Sequence, residues 1–447
     1  MKLFGTILLA STIYFKGQAA EETRTLEATP GVVITTDYID RLVAEALAHN
    51  VSLQAANSRL RAAVLNAEAV RTWEDPTAFF GGSVYSEKGF NPSEEGNLAY
   101  GIEQKLPLWG RPTLMRKVAT AETSVREAEL NYRAHRLRSD LTKELVLIAL
   151  AEAVVEIGEQ DLAWLGATAK ATENKYRAGQ AAMADTLQIQ NDVAKRTDAL
   201  RTERTHLAHE RVTLNRLLNR DAAALWPSFK LPPIAPEIPL SAKLLALALE
   251  NEPRIKVSEQ VIRQAGASAE LTRKSRLPEV SLGVEGRQYT GDGGLRSGMF
   301  TLRCTLPWAN GNKYRKDYER DQAKQRSAEQ EREDQVLMVR EELHHLAVGV
   351  EATRREALLQ SGEITIRASQ ALTSRLSEWE SGRGTFRDVL DARRMLLESQ
   401  LMSVRATAEQ QQMLAEMLLW SGLENLESLL SLAGEPPVLR DHESHEK

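Results

Sequence analysis

A single cysteine, Cys304, stands among the 447 residues, which excludes an internal disulfide and leaves no cysteine near the N-terminus to carry a lipid. Aromatic residues are only 5% of the chain against 27% charged, thin for a globular enzyme of this length and natural for long helices rich in Ala, Glu, Arg, Leu and Gln. After residue 20 no uncharged apolar run reaches about 18 residues, so no transmembrane helix is available. There is no glycine-rich phosphate loop, no His-Glu-x-x-His, no cysteine pair and no Gly-x-Ser-x-Gly, so the chain reads as a non-enzyme without cofactor. No metal site is expected either. His344 and His345 are adjacent and point to different helix faces, and His442 and His445 lack a third ligand. The formal charge of −5 argues against nucleic acid as a partner.

What is present is one series of landmarks written twice. Ala46-Leu47 with Leu53 recurs as Ala248-Leu249 with Ile255, and Pro76 recurs as Pro278. Leu106-Pro107 recurs as Leu306-Pro307, and Tyr176-x-x-Gly179-x5-Asp185 recurs as Trp379-x-x-Gly382-x5-Asp388. The offsets of 202, 202, 200 and 203 leave almost no insertion between the copies. A period this long is a duplicated half-protein rather than a stacked solenoid. The halves span residues 39–224 and 241–432, joined by a proline-rich linker at 225–240.

The N-terminus carries Lys2, an apolar stretch from Leu3 to Phe15 and the small-x-small site Gly17-Gln18-Ala19. Residues 1–19 therefore read as a secretory signal, whose removal takes the charge from −5 to −7 by loss of Lys2 and Lys16. Residues 20–38 follow as an N-terminal periplasmic segment, and the tail at 433–447 reads as disordered.

Proline is absent between Pro112 and Pro227 and between Pro307 and Pro436. Each stretch has room for two helices of about 50 to 55 residues. Coiled-coil spacing runs through them: Leu390, Leu397, Leu401, Val404, Ala408, Gln411, Ala415 and Leu418 in one, and Val193, Leu200, Leu207 and Leu214 in another. A third seam passes through Leu130, Ala134, Leu137, Leu141, Leu145 and Ile148. With turns at Gly179 and Gly382, the expectation is two long antiparallel helical hairpins.

Ahead of each hairpin the period changes to two. Val280, Leu282 and Val284 alternate with Ser281, Gly283, Glu285 and Arg287, and Phe300, Leu302, Cys304 and Leu306 alternate with Thr301, Arg303 and Thr305. The first half repeats this through Phe80 to Tyr85, and then Leu98, Tyr100 and Ile102 against Glu103 and Lys105. Four strands are predicted, at about 77–87, 97–106, 279–289 and 298–306. One apolar and one charged face matches a transmembrane barrel strand, and equally a soluble sheet packed on a helix. Four strands cannot close a barrel, and an open sheet edge is not tolerated in lipid, so membrane strands of this kind require several chains in one barrel.

These residues resemble the TolC-type outer-membrane efflux protein family. The likeness lies in the openings at Ala46 and Ala248, Leu-Pro at each strand exit, Asn215-Arg216-Leu217-Leu218, and Trp379-x-x-Gly382-x5-Asp388-Val389-Leu390-Asp391-Ala392-Arg393. The resemblance implies a mainly α chain with a membrane β-barrel contribution. Three copies would give four strands each to one barrel, continued by a helical tunnel into the periplasm. It further implies a homotrimer in the outer membrane, docked to a periplasmic adaptor (membrane fusion) protein and an inner-membrane pump, conducting substrate passively in tripartite efflux or type I secretion. A periplasmic coiled-coil adaptor or a structural coiled coil is the other class of reading. Two hairpins without a lipoyl-like module, and the alternating strands, weigh against it.

By the same resemblance, Asp388 and Asp391, on one helix face at i, i+3, are candidates for rings of carboxylates at a pore constriction. Helix capping by Asp388 is the competing role. Asp185, with Gln188 at capping-box spacing, reads first as a cap and second as a gate residue. Related proteins carry a basic residue where this chain has Gly384; Arg383 sits one position earlier. Tyr176, Gly179, Trp379 and Gly382 are candidates for tip packing or adaptor contact. Glu103, Lys105, Glu285, Arg287 and Arg303 are candidates for the barrel lumen.

Overall fold

The computed structural model describes residues 31–83, 97–238, 240–289, 293–423 and 425–433. The proposed signal, the loop around Gly89 to Gly96, Gly291-Asp292 and the tail with its two histidines lie outside the described residues.

Two helices dominate each half, and they are unequal. In the first half α1 (Thr36–His49) and α2 (Val51–Ala69) precede strands β2 (Thr77–Ser83) and β3 (Asn97–Lys105). Then α3 (Arg111–Arg177) runs 67 residues, about 100 Å at the helical rise, and α4 (Met183–Leu217) returns for only 35. The second half repeats this with α5 (Ala242–Asn251), α6 (Pro253–Lys274), β5 (Val280–Tyr289) and β6 (Leu295–Cys304). A long arm follows, α7 (Gly311–Leu359), a π turn at Gln360–Ile364 and α8 (Thr365–Glu380), before α9 (Phe386–Ser421) returns and α10 (Leu426–Ala433) closes.

The expected pairs of 50 to 55 residues are thus replaced by one long and one short arm. Absence of proline permits a helix but does not set its length. The short arm is completed by stacking helices end to end. Asn50, the N-cap of α2, accepts from Leu53 N at 3.1 Å and donates to Leu217 O at 2.8 Å, so α2 begins where α4 stops. In the second half Glu252 caps α6 by accepting from Ile255 N at 2.7 Å, against Gly422 at the end of α9. Gly422 takes φ +67°, and a Cβ there would lie 2.4 Å from Asn251 O, so no other residue fits this junction without strain. Asn50 and Glu252 are 202 positions apart, one landmark in two copies.

The repeated apolar landmarks lie at these junctions. Ala46, Leu53, Leu141, Leu145, Ile148 and Leu214 form one buried cluster with Phe229, and Ala248, Ile255, Val339, Leu343, Leu414 and Met417 form its counterpart. Short parallel pairing of β1 (Val32–Val33) with β4 (Phe229–Lys230) ties the first half to the linker. The linker's next turn is gripped by Gln410, which accepts from Ala235 N at 3.0 Å and donates to Ala235 O at 3.1 Å.

One core group is a misfit. Glu144 of α3 is buried against Glu210 of α4, with Arg216 and Asp140 near, and desolvation followed by its hydrogen bond and repulsion with Glu210 raises its carboxyl to about 8. The folded state therefore holds a proton that the unfolded chain releases near pH 4.5. Stability from this group is complete below that value and is lost as pH rises toward about 8. Glu144→Gln should flatten the fall of unfolding temperature over that window; an unchanged slope would place the titration elsewhere.

Candidate functional site at the hairpin tips and the sheet

Both hairpins turn by the same backbone device. Gly179 and Gly382 each take φ +75° with open space around them, so it is the left-handed backbone rather than crowding that requires glycine. Gln180 N donates to Lys175 O at 2.8 Å and Gly179 N to Tyr176 O at 2.9 Å; Arg383 N donates to Glu378 O at 2.8 Å and Gly382 N to Trp379 O at 3.1 Å. Each long arm thus ends in a Schellman motif. Trp379 packs on Phe386 with ring centroids 5.3 Å apart and carries Lys175 Nζ 3.7 Å above its ring. Its counterpart Tyr176 is left exposed.

The tip acids differ in surroundings. Asp388 and Thr385 form a reciprocal capping box: Thr385 Oγ1 donates to Asp388 Oδ2 at 2.7 Å and accepts from Asp388 N at 3.3 Å. The Thr385 hydroxyl and backbone N–H hold the Asp388 carboxyl below the usual range, so it stays charged. Asp391 is exposed one turn on, between Arg394 at 3.4 Å and Arg387 at 3.8 Å. Asp185 is not the cap: the N-cap of α4 is Ala182, which makes no side-chain cap bond, and Asp185 lies inside the first turn. The chain enters this helix three residues earlier than the capping-box spacing required. Arg383 bonds Ser381 Oγ at 3.1 Å and, among the described residues, meets no carboxylate. Gly384 fits the displacement, since a Cβ there would press on Glu378 Cβ at 3.0 Å and require that neighbour to shift.

Behind the tip lies a charge cluster that spacing arguments passed over. Asp161 of α3 is 3% exposed and accepts from Arg393 Nε of α9 at 2.8 Å, with Arg196 Nε of α4 at 3.6 Å. Arg196 also binds Glu203 at 3.2 Å, and passes where a Cβ on Gly158 would collide with its guanidinium. Arg393 lies over Trp164 at 5.0 Å, and Arg394 reaches Asp192 at 2.9 Å. The second hairpin is thereby bonded to both arms of the first. A sequence signal existed: Gly158, Asp161, Leu165, Thr168 and Thr172 step by 3, 4, 3 and 4, and all are buried, so the acid sits on a core stripe.

The sheet has the order β2-β3-β5-β6, all antiparallel, with β2 and β6 at its edges. Its register sorts the alternating residues into two faces. Glu103 lies opposite Gly283, Lys105 opposite Ser281, Arg287 opposite Ala99, Glu285 opposite Gly101 and Met299, and Arg303 opposite Ser281. All five charged candidates therefore share one face. There Glu103 accepts from Ser281 Oγ at 2.5 Å and pairs with Arg303, while Arg287 pairs with Glu285 at 3.1 Å. The opposite face carries Phe80, Tyr100, Ile102, Val284, Phe300 and Leu302, every one exposed. Among the described residues no three His, Cys, Asp or Glu side chains are grouped to hold a metal.

Residues 42–220 and 244–422 each match the outer membrane efflux protein family. The fold is that of several solved outer-membrane channels. The VceC protein of Vibrio cholerae is 20% identical with TM-score 0.71, over 86% of this chain and 96% of that one. The CmeC channel of Campylobacter jejuni is 13% identical with TM-score 0.74, over 94% of both chains. The open-state MtrE channel of Neisseria gonorrhoeae is 18% identical with TM-score 0.69, over 86% and 89%. No curated protein sequence matches the chain.

Proposed function

The chain belongs to the outer membrane efflux protein family, and from that premise we propose that three copies pool their sheets into one twelve-stranded barrel in the outer membrane and their hairpins into a periplasmic tunnel. As a family member it is an outer-membrane efflux channel. The observation that carries the trimer is the four-stranded sheet with two open edges and an exposed apolar face. Lipid tolerates such a sheet only once its edges are paired. Two copies give eight strands, whose interior side chains would fill; three leave a lumen.

In that barrel the apolar face meets lipid, and Glu103, Lys105, Glu285, Arg287 and Arg303 line the water path with mixed sign. Residues 1–19 serve as the export signal, and the proline-rich linker joins two duplicated domains. Half-buried Leu397, Leu401 and Val404 supply the seam between neighbouring chains. The tips dock a periplasmic adaptor whose inner-membrane pump supplies the energy. The chain itself only conducts; it catalyses nothing and binds no nucleic acid.

At the tip, Asp388 and Asp391 are the constriction, six carboxylates in two rings. Asp388 is charged but held by Thr385 in its capping box, with no basic side chain bonded to it among the described residues, and Asp391 is only loosely compensated. Planar-bilayer recording tests this: wild type should prefer cations, and Asp388→Ala with Asp391→Ala should abolish that preference. Equal selectivity in the two proteins removes the rings and leaves the duct in place.

A further inference from the structure

We propose that the crevice beneath the second strand pair, formed by Arg273, Arg276, Trp308, Tyr314, Arg315 and Tyr318, binds the phosphate of an anionic phospholipid in the periplasmic leaflet of the outer membrane. The inference rests on the sheet being the membrane-spanning part.

The crevice has a volume of about 400 Å³ and sits where strand gives way to helix. Arg273 comes from the last turn of α6 and Arg276 from just past its C-cap, Trp308 from the 3-10 turn after β6, and Tyr314, Arg315 and Tyr318 from the first turns of α7. Local charge is one-sided. Segments 271–276 and 307–316 hold six basic residues, the three arginines with Lys274, Lys313 and Lys316, and no acid, in a chain whose net charge is −5.

Among the described residues, Glu319 is the nearby carboxylate that reaches a crevice arginine, and it is shared with Lys316. Glu270 binds Lys117 at 2.7 Å and Glu279 binds Lys105 at 2.9 Å, while Glu319 binds Lys316 at 2.6 Å and stands 3.8 Å from Arg315. Asp317 pairs with Arg320 at 3.0 Å. Among the described residues Arg273 and Arg276 have no carboxylate within 4.0 Å. Guanidinium groups suit phosphate because their forked donors match two oxygens at once.

The internal duplication supplies a comparison within one molecule. The corresponding crevice of the first half, at Trp109 and Arg111, is about 30 Å³. It is neutralised from within: Lys105 binds Glu279 at 2.9 Å and Glu74 at 3.2 Å, Arg111 pairs with Glu279, and Trp109 Nε1 donates to Pro278 O at 2.8 Å. At the offset of 202, Glu74 of the first half corresponds to Arg276 of the second. An acid that satisfies one rim is replaced by a base that leaves the other open.

The apolar side is also prepared. Leu302 on the lipid-facing side of β6, Leu306 and Trp308 are all more than half exposed, leading along the chain from the sheet to the arginines. A tryptophan at the water boundary and basic side chains just beyond it are what an acyl chain with an anionic head requires.

Native mass spectrometry of the channel released from bilayer discs of mixed phosphatidylglycerol and phosphatidylcholine tests the site. Wild type should retain phosphatidylglycerol over phosphatidylcholine by roughly a hundredfold, the scale of three arginines at an anionic surface. Arg273→Gln with Arg276→Gln and Arg315→Gln should lose that preference, while Arg355→Gln with Arg367→Gln and Arg375→Gln, on the distant arms, should keep it. No preference in wild type, or the same preference in the crevice variant, overturns the proposal. So does release of the lipid by millimolar inorganic phosphate, which would mark a site for free anions. Conductance of the same preparations separates the two readings: conducting wild type without lipid preference sinks the lipid site alone, and wild type that enters no bilayer sinks the duct as well.

Discussion

Asp161→Ala is expected to raise single-channel conductance and to loosen the tip, the largest effect of any one side chain in the helical part. The carboxylate is 3% exposed and holds Arg393 at 2.8 Å and Arg196 at 3.6 Å. Deleting one member of a buried ion pair costs about 3 to 5 kcal/mol, because the partner stays desolvated without compensation. Arg196 retains Glu203 and Arg393 retains Trp164, which puts the expectation near the lower bound. What is lost is specific: the bond that carries α9 of the second half against α3 of the first. Asp161→Asn keeps the shape and should fall between. Conductance and denaturation midpoint read the two effects together, and a variant closed as tightly as wild type would mean that the tip is held by packing around Trp379 and Leu390 alone.

The second large effect lies in the sheet. Val284 sits in the middle of β5 on the apolar face, opposite Ile102 and Phe300. An arginine facing lipid at mid-membrane costs about 2 to 4 kcal/mol, so three chains in one barrel would pay roughly 6 to 12 kcal/mol. Val284→Arg should therefore abolish recovery of trimer from the outer membrane. Thr301→Arg, two strands from β3 on the charged face, should assemble normally. Equal recovery of both proteins would show that the faces are assigned the wrong way round, or that the sheet does not meet lipid.

The duplicated landmarks were readable because burial repeats with the fold. Ala46, Ala248, Leu53 and Ile255 recur in sequence since each packs at a junction where one helix stops and the next begins. The turns were readable because φ +75° selects glycine. Gln411 looked like an apolar seam residue by spacing alone; it is buried, and donates to Pro233 O at 2.9 Å, gripping the linker. Arm lengths were harder, since the proline-free interval does not reveal that α2 and α6 finish the short side. The Asp161 cluster was least visible. Its members come from three helices, and nothing local to Asp161, Arg196 or Arg393 states which charge will meet which. The displaced base at Arg383 was legible as an anomaly, but the close approach of Glu378 to Gly384 exists only in three dimensions.

From Leu106 to Gly179 the first half counts 73 positions, and from Leu306 to Gly382 the second counts 76. A π turn at Gln360–Ile364 interrupts the longer arm, the kind of place where surplus residues enter a helix without ending it. The two ends of one chain are consequently siblings rather than twins, one presenting an open Tyr176 and the other a tryptophan tucked beneath a lysine. In the proposed trimer such ends would alternate around the threefold axis, so whatever grips the far end of that assembly would meet two kinds of foothold in turn and would have to tell them apart.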